Sequence, residues 1–199
     1  MKIVVATKNA HKVKELSEML ALDGLSLVTL SDMGFTGEIE ENGSTFAENA
    51  LIKARTAARL YGLPALADDS GLCVDALDGE PGIYSARYAS TDGENASDAA
   101  NVEKLLEKLK SIPSGERTAR FVCAIALVTP DGSEKVVTGA CEGVITSEVR
   151  GKGGFGYDPV FYYVPYCKTF GEATEEEKNK VSHRANAVRL IREELLKHL

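Results

Sequence analysis

The sequence has no tryptophan, only three histidines, and no run of apolar residues long enough to cross a bilayer. Without tryptophan no sugar-stacking platform stands out, which argues against a glycosidase built on paired carboxylates. Cys73, Cys123, Cys141 and Cys167 are far apart and none forms a C-x-x-C pair. With so few histidines and no paired ligand spacing, a structural zinc site is not expected. Cys73 and Cys123 sit in apolar stretches, where buried free thiols are expected. Positive charge is also short: 23 Lys and Arg face 30 Asp and Glu, for a net charge of −7. That balance argues against a surface that grips nucleic acid. It leaves room for an anionic small molecule, provided basic side chains are concentrated locally or a metal ion screens the phosphates. The chain opens on the strand-like Lys2-Ile3-Val4-Val5-Ala6, so no signal peptide, no membrane partner and a reducing cytoplasm are the expectation.

What is present suffices for a folded enzyme-sized unit. The 199 residues can form one large domain or two lobes around a shared core. Apolar alternation and helical spacing predict strands at Lys2–Thr7, Leu25–Thr29 and Leu63–Ala67, with helices at Lys12–Leu22 and Thr45–Leu60. Ser31–Asn42 and Gly79–Ser90 read as loops, and Asp98–Leu109 as a helix. Arg117–Val128 and Glu134–Thr146 are long, β-rich and joined by Thr129-Pro130-Asp131-Gly132-Ser133, a hairpin signature. A glycine-rich loop at Gly151–Asp158 precedes a strand-like Val160–Val164. Thr174 with Glu177 fits a capping box, and a last helix is predicted from about Ser182 to the end. The βαβ beginnings followed by a hairpin predict an α/β protein with a mixed sheet.

Asp68-Asp69-Ser70-Gly71 is the stretch richest in chemistry. It follows the apolar Leu63–Ala67 and precedes Leu72-Cys73-Val74. Adjacent carboxylates at the mouth of a buried strand repel and lose hydration, a cost that a divalent cation or a proton-transfer task relieves. Gly71 is expected to let the backbone turn there, and an Asx-type turn is the plainer alternative. Strand neighbours point opposite ways, so which of Asp68 and Asp69 faces a site stays open.

Thr7-Lys8-Asn9-Ala10-His11-Lys12 lies between the first strand and the first helix, where free N–H groups and the helix dipole suit phosphate. It contains no glycine and is not a Walker loop; the alternative is that Asn9 merely caps the helix. The acidic loop Glu38–Gly43 could pair one glutamate with an aspartate of Asp68-Asp69 around Mg²⁺, and Glu48-Asn49 could serve the same site or coat the surface. Gly151-Lys152-Gly153-Gly154-Phe155-Gly156 formally matches a dinucleotide fingerprint, yet it sits late in the chain and leads into a strand, so NAD binding is rejected. Phe155 and Tyr157 among glycines instead suit a flat heterocycle, with Asp158 accepting a hydrogen bond. Lys178, His183 and Arg184 concentrate positive charge near the last helix.

Six segments in register resemble one family. They are Thr7-x-Asn9-x-x-Lys12, Glu40–Ala50, Ala67–Leu72, Pro81–Arg87, Gly154–Pro159 and Ser182-His183-Arg184. The chain resembles the inosine triphosphate pyrophosphatase family over essentially its whole length. The resemblance implies a single pyrophosphatase domain over residues 1–199, an elongated mixed sheet flanked by helices, two lobes around a central cleft, and a homodimer. It implies hydrolysis of a nucleoside triphosphate carrying a deaminated purine (ITP, dITP or XTP) to monophosphate and pyrophosphate, assisted by Mg²⁺, with Mn²⁺ as a substitute. On this sequence, Thr7, Lys8, Asn9, Ala10, His11 and Lys12 would cradle phosphates. Glu40 and Asp69 would hold the metal, and Asp69, beside Ser70, would take the proton of the attacking water. Phe155, Gly156, Tyr157 and Asp158 would hold the base, with Lys178, His183 and Arg184 completing recognition. His11 departs from the family pattern, where many members carry glycine. Two other readings stay open: a pyrophosphatase of the related Maf type acting on other bases, and a nucleotide sensor without turnover.

Overall fold

Strand parity builds the first part of the molecule. In the computed structural model, which describes residues 1–197, β1 (Lys2–Val5) pairs in parallel with β2 (Ser26–Thr29) on one side and with β3 (Ala65–Val74) on the other. Alternate side chains of these strands go to opposite faces. Ile3, Val5 and Leu66 join a core with Leu16 of α1 (Ala10–Met19) and with Ala187, Val188 and Ile191 of α5 (His183–Leu195). Val4, Ala65 and Ala67 join the opposite core, against Ala50, Ala54 and Ala57 of α2 (Phe46–Tyr61). Short alanine side chains on both surfaces let α2 pack closely on the sheet, since the side chains at a contact set the spacing of packed elements.

The full sheet has seven strands in the order β2-β1-β3-β4-β5-β6-β7, where β4 is Thr118–Val128, β5 Glu134–Ile145, β6 Phe161–Tyr163 and β7 Lys168–Thr169. The β5–β6 and β6–β7 pairs are antiparallel, so the sheet is mixed, as the sequence predicts. The predicted hairpin is present: Thr129 N–H donates to Ser133 O, and Gly132, at φ 90°, turns the chain.

The chain divides into two compact units, each assembled from separated segments. The first comprises Met1–Asp69, Cys123–Gly139 and the segment from His183; the second comprises Ser70–Val122 and Ala140–Ser182. The second unit has one core, in which Leu72, Val74 and Phe121 pack with Leu105 of α3 (Asp98–Lys108) and with Phe161 and Phe170. Phe161 lies 4.5 Å from Phe121 and 5.0 Å from Phe170, ring centre to ring centre.

Several boundaries differ from those read in the sequence. Helix α1 begins at Ala10 rather than Lys12, because Asn9 caps it: its Oδ1 accepts from the His11 and Lys12 N–H groups. Strand β3 does not turn at Gly71 but runs on to Val74. The carboxylates of Asp68 and Asp69 are compensated by partners on each face, so nothing forces the strand to end. Gly82–Arg87, read as loop, forms a 3₁₀ turn. The capping box is as read: Thr174 Oγ1 accepts from Glu177 N–H, and Glu177 accepts from Thr174 N–H, opening α4 (Glu175–Val181). The predicted end of the last helix at residues 198–199 lies outside the described residues.

Candidate active site

Parity also settles the two aspartates. Asp68 has the parity of Leu66 and points to the α1/α5 face; Asp69 has the parity of Ala67 and points to the α2 face. Asp68 is fully buried and Asp69 is 8 % exposed. Asp68 Oδ2 lies 3.1 Å from Lys12 Nζ and accepts from Arg184 Nη2 at 3.1 Å and from Nε at 3.4 Å. The Cys123 thiol approaches the same oxygen at 3.9 Å. Burial pushes the Asp68 carboxyl up, but Lys12 and Arg184 outweigh it and hold it well below the usual carboxylate range. Burial beside Asp68 pushes the Cys123 thiol up to about 12, so it stays a protonated, inert thiol.

Asp69 is the proton-ready member of the pair. Its Oδ2 accepts from Asn49 Nδ2 at 3.1 Å, and its Oδ1 lies 3.7 Å from Lys53 Nζ. Burial raises its affinity for a proton; Lys53 and Lys12 oppose this, Glu41 adds to it, and the net direction is upward. A carboxylate moved upward, toward neutrality, is better matched to taking a proton from water. Lys53 in turn bonds Glu41 Oε2 at 3.1 Å and stays charged, since Asp69, Glu41 and Asp68 outweigh its own desolvation. Asn49 Oδ1 accepts from Gly43 N–H at 2.8 Å, tying the acidic loop to the same helix face. A Cβ on Gly43 would lie 2.7 Å from that Asn49 oxygen, so only glycine permits the approach.

The residues expected around phosphate take a definite local form. Asn9 N–H donates to Thr7 Oγ1 at 3.2 Å, while Lys8 lies 5.8 Å from the centre of the Phe35 ring. Asn9 is therefore the cap of α1, and Ala10, exposed His11 and Lys12 form its first turn. Arg184, expected to help complete substrate recognition, is 1 % exposed, with Nη1 directed to Glu15 and Nε and Nη2 to Asp68. His183, also buried, precedes it at the start of α5. Gly139 on β5 makes this possible, because a Cβ there would sit 2.4 Å from His183 O and 2.3 Å from Ala187 N. Glu40 is exposed, and it is the adjacent, half-buried Glu41 that reaches Lys53.

In the second unit the aromatic loop is held from three sides. Asp158 Oδ2 accepts from Phe155 N–H at 2.9 Å, Gly156 N–H donates to Asp98 at 2.7 Å, and Tyr157 Oη donates to Ser85 O at 2.8 Å. Lys178 Nζ lies 2.7 Å from Asp158 Oδ2 and 4.6 Å from the Phe155 ring centre. Asp158, expected to accept from a base, thus organises its own loop. Gly154 stands at φ 70°, and a Cβ on it would lie 2.0 Å from Asp158 Oδ2. Ser70, which follows Asp69 on β3, is half-buried.

Sequence reasoning missed Lys53, Glu15 and Asp98, while Cys123 is the buried free thiol expected. Lys53 carried a usable signal: it follows Asn49 by four residues, one helical turn, and a lysine on the apolar side of an alanine-rich helix needs a buried anion. Among the described residues no group of three or more His, Cys, Asp or Glu side chains forms a metal cage. Mg²⁺ commonly takes only one or two protein carboxylates and completes its shell with phosphate and water. Asp69 and Glu41 already flank a cation, the Lys53 ammonium, so this oxygen set fits such an ion.

Fold and cluster together define an α/β protein with a buried charged cluster mounted on the two faces of one strand. The chain belongs to the Ham1 family, whose sequence profile matches residues 3–194. It is 53% identical over 188 residues to the dITP/XTP pyrophosphatase of Halalkalibacterium halodurans, covering 94% of this chain and 95% of that one. It is also 53% identical over 196 residues to the dITP/XTP pyrophosphatase of Geobacter sulfurreducens, covering 98% and 96%. The structure of the Staphylococcus aureus Ham1 protein superposes with a TM-score of 0.89 at 42% identity, covering both chains completely.

Proposed function

We propose that this chain hydrolyses deaminated purine nucleoside triphosphates (dITP, ITP and XTP) to the monophosphate and pyrophosphate, clearing them from the nucleotide pool. The observation that carries the reading is Asp69. It is a buried carboxylate with raised proton affinity, oriented by Asn49 and flanked by Lys53, in a chain about half identical to pyrophosphatases of dITP and XTP.

In the proposed reaction a water oxygen attacks the α-phosphorus, its proton passes to Asp69, and the bond to the bridging oxygen breaks so that pyrophosphate leaves as one unit. Thr7, Lys8, Asn9, Ala10, His11 and Lys12 bind phosphate oxygens at the start of α1, where N–H groups and the helix dipole favour anions. Lys53 supplies a further ammonium to them. Glu40 and Asp69, with Glu41 adjacent, are assigned to Mg²⁺ or Mn²⁺, which when bound neutralises and orients the triphosphate. Phe155 stacks on the base and Gly156, Tyr157, Asp158 and Lys178 fix its loop, while Ser70 lies next to the base catalyst.

His183 and Arg184 are assigned to the purine six-position. A guanidinium carries five donors in one plane, and Asp68 and Glu15 fix that plane. Hypoxanthine and xanthine present an O6 acceptor to such a donor and adenine does not. Arg184→Ala should therefore lose preference for ITP over ATP; an unchanged ratio removes Arg184 from base recognition. A homodimer in the cytoplasm is the proposed state, checked by light scattering of the purified chain. No helix among the described residues is long and apolar enough to cross a membrane.

The deciding experiment is a panel of ITP, XTP, dITP, ATP and GTP with Mg²⁺, scoring pyrophosphate against single phosphate released. Pyrophosphate from the three deaminated substrates supports the proposal. Single phosphate, or equal rates on ATP, refutes it.

A further inference from the structure

Resting on the metal-assisted reading of Asp69 and its acidic loop, we propose that Lys53 is a resident cation that keeps divalent metal out of the nucleotide-free protein, so that metal enters only together with phosphate oxygens. Its ammonium sits between Glu41 Oε2, at 3.1 Å, and Asp69 Oδ1, at 3.7 Å, against one carboxylate assigned to the metal and the neighbour of the other. Lys53 is 7 % exposed, so this is not a surface side chain folded inward.

Asn49, one turn earlier on α2, prevents the pair from parting to admit a second cation. Its amide bonds Gly43 N–H on the acidic loop at 2.8 Å and Asp69 Oδ2 at 3.1 Å, which fixes both anionic partners of Lys53 relative to one helix. An arriving divalent ion therefore meets a positive charge already held by Asp69, one of its assigned ligands, and by Glu41 beside the other, and like charges at such range repel strongly. Phosphate oxygens change the balance by giving the ammonium a new anionic partner, a role that a lysine on a flexible stem fills well. The consequence is ordered assembly: low affinity for metal alone, and no metal-loaded active site before substrate arrives.

The test uses Mn²⁺ alone, titrated into the full-length protein without nucleotide, with free ion followed by electron paramagnetic resonance. Lys53→Met and Lys53→Gln should bind Mn²⁺ at least about 10-fold more tightly than wild type. Lys53→Arg, which keeps the charge, should bind as weakly as wild type. Thermal unfolding with and without Mn²⁺ is the second readout, and the two neutral variants should gain more in Tm than wild type does. Equal or weaker binding by the neutral variants overturns the proposal, and so does tight binding by Lys53→Arg. Because no turnover enters this measurement, a failure here is distinct from a failure of the wild-type protein to hydrolyse dITP.

Discussion

In the first unit Asp68 and Asp69 meet Lys12, Arg184, Asn49 and Lys53, drawn from three helices; in the second unit Asp158 meets Lys178, beside the Phe155 ring. The first arrangement is assembled from segments as much as 116 positions apart; the second spans 20. The difference teaches what each unit is built to hold. A strand that carries two carboxylates through a core needs compensation on both faces, which gathers a polar cluster there, the one proposed above to receive phosphate and move a proton. An ion pair beside the Phe155 ring sits in a loop whose geometry is fixed by hydrogen bonds from glycine and phenylalanine N–H groups. The same contrast recurs inside β3, where Asp68 is locked in its charged form and Asp69, its neighbour, is moved toward neutrality.

The sharpest way to break the comparison is to remove the proton acceptor. Asp69→Asn should lower turnover of dITP by about 10²–10⁴-fold with an unchanged circular dichroism spectrum. Near-wild-type turnover would take Asp69 out of the chemistry. Next in size is the structural partner. Asp68→Asn leaves Lys12 and Arg184 facing an uncharged group in the core, and urea unfolding should show a loss of about 3–5 kcal/mol. Asp69→Asn in the same unfolding experiment should cost much less, because burial already disfavours its charge. Equal losses for the two variants would erase the distinction between the faces.

Smaller effects sharpen the picture from the other unit. Phe155→Ala should weaken nucleotide binding by about 1–3 kcal/mol, read as a raised KM with kcat nearly kept. A fall in kcat with KM unchanged would assign the ring to the reacting centre instead. The smallest effect belongs to a pair that resembles the buried ones only in a list of distances. Arg55 holds Glu134 through two hydrogen bonds of 2.6 and 2.7 Å, but its side chain is 55% exposed. Arg55→Ala should cost less than about 1 kcal/mol in the same unfolding assay. A larger loss would mean that solvent screening does not separate surface pairs from the Asp68 cluster.

Much of this arrangement was legible in the residues. The mixed sheet, the hairpin at Thr129–Ser133, the Thr174 capping box and α2 all follow from periodicity and turn chemistry, which act over a few residues. The acidic doublet, the Thr7–Lys12 segment and the aromatic glycine loop were visible as candidates. Lys53, Glu15 and Asp98 were not, because each matters through a partner distant in sequence. Lys53 reads as one more helix cation until Glu41 and Asp69 are seen on either side of it. The turn expected at Gly71 failed for a related reason: local residue preference marks a break, whereas compensation from α1, α2 and α5 lets the strand continue.

From residues alone came the α/β class, the placement of helices and strands, and the identity of the acidic pair, since hydrophobic spacing and caps are encoded within single segments. Only the folded molecule decided that Asp69 rather than Asp68 is poised for a proton and that Lys53 lies between two carboxylates. The reason is physical. The charge state of a buried group depends on its surroundings in space, and those surroundings come from helices that the chain delivers to one strand from opposite ends of the sequence.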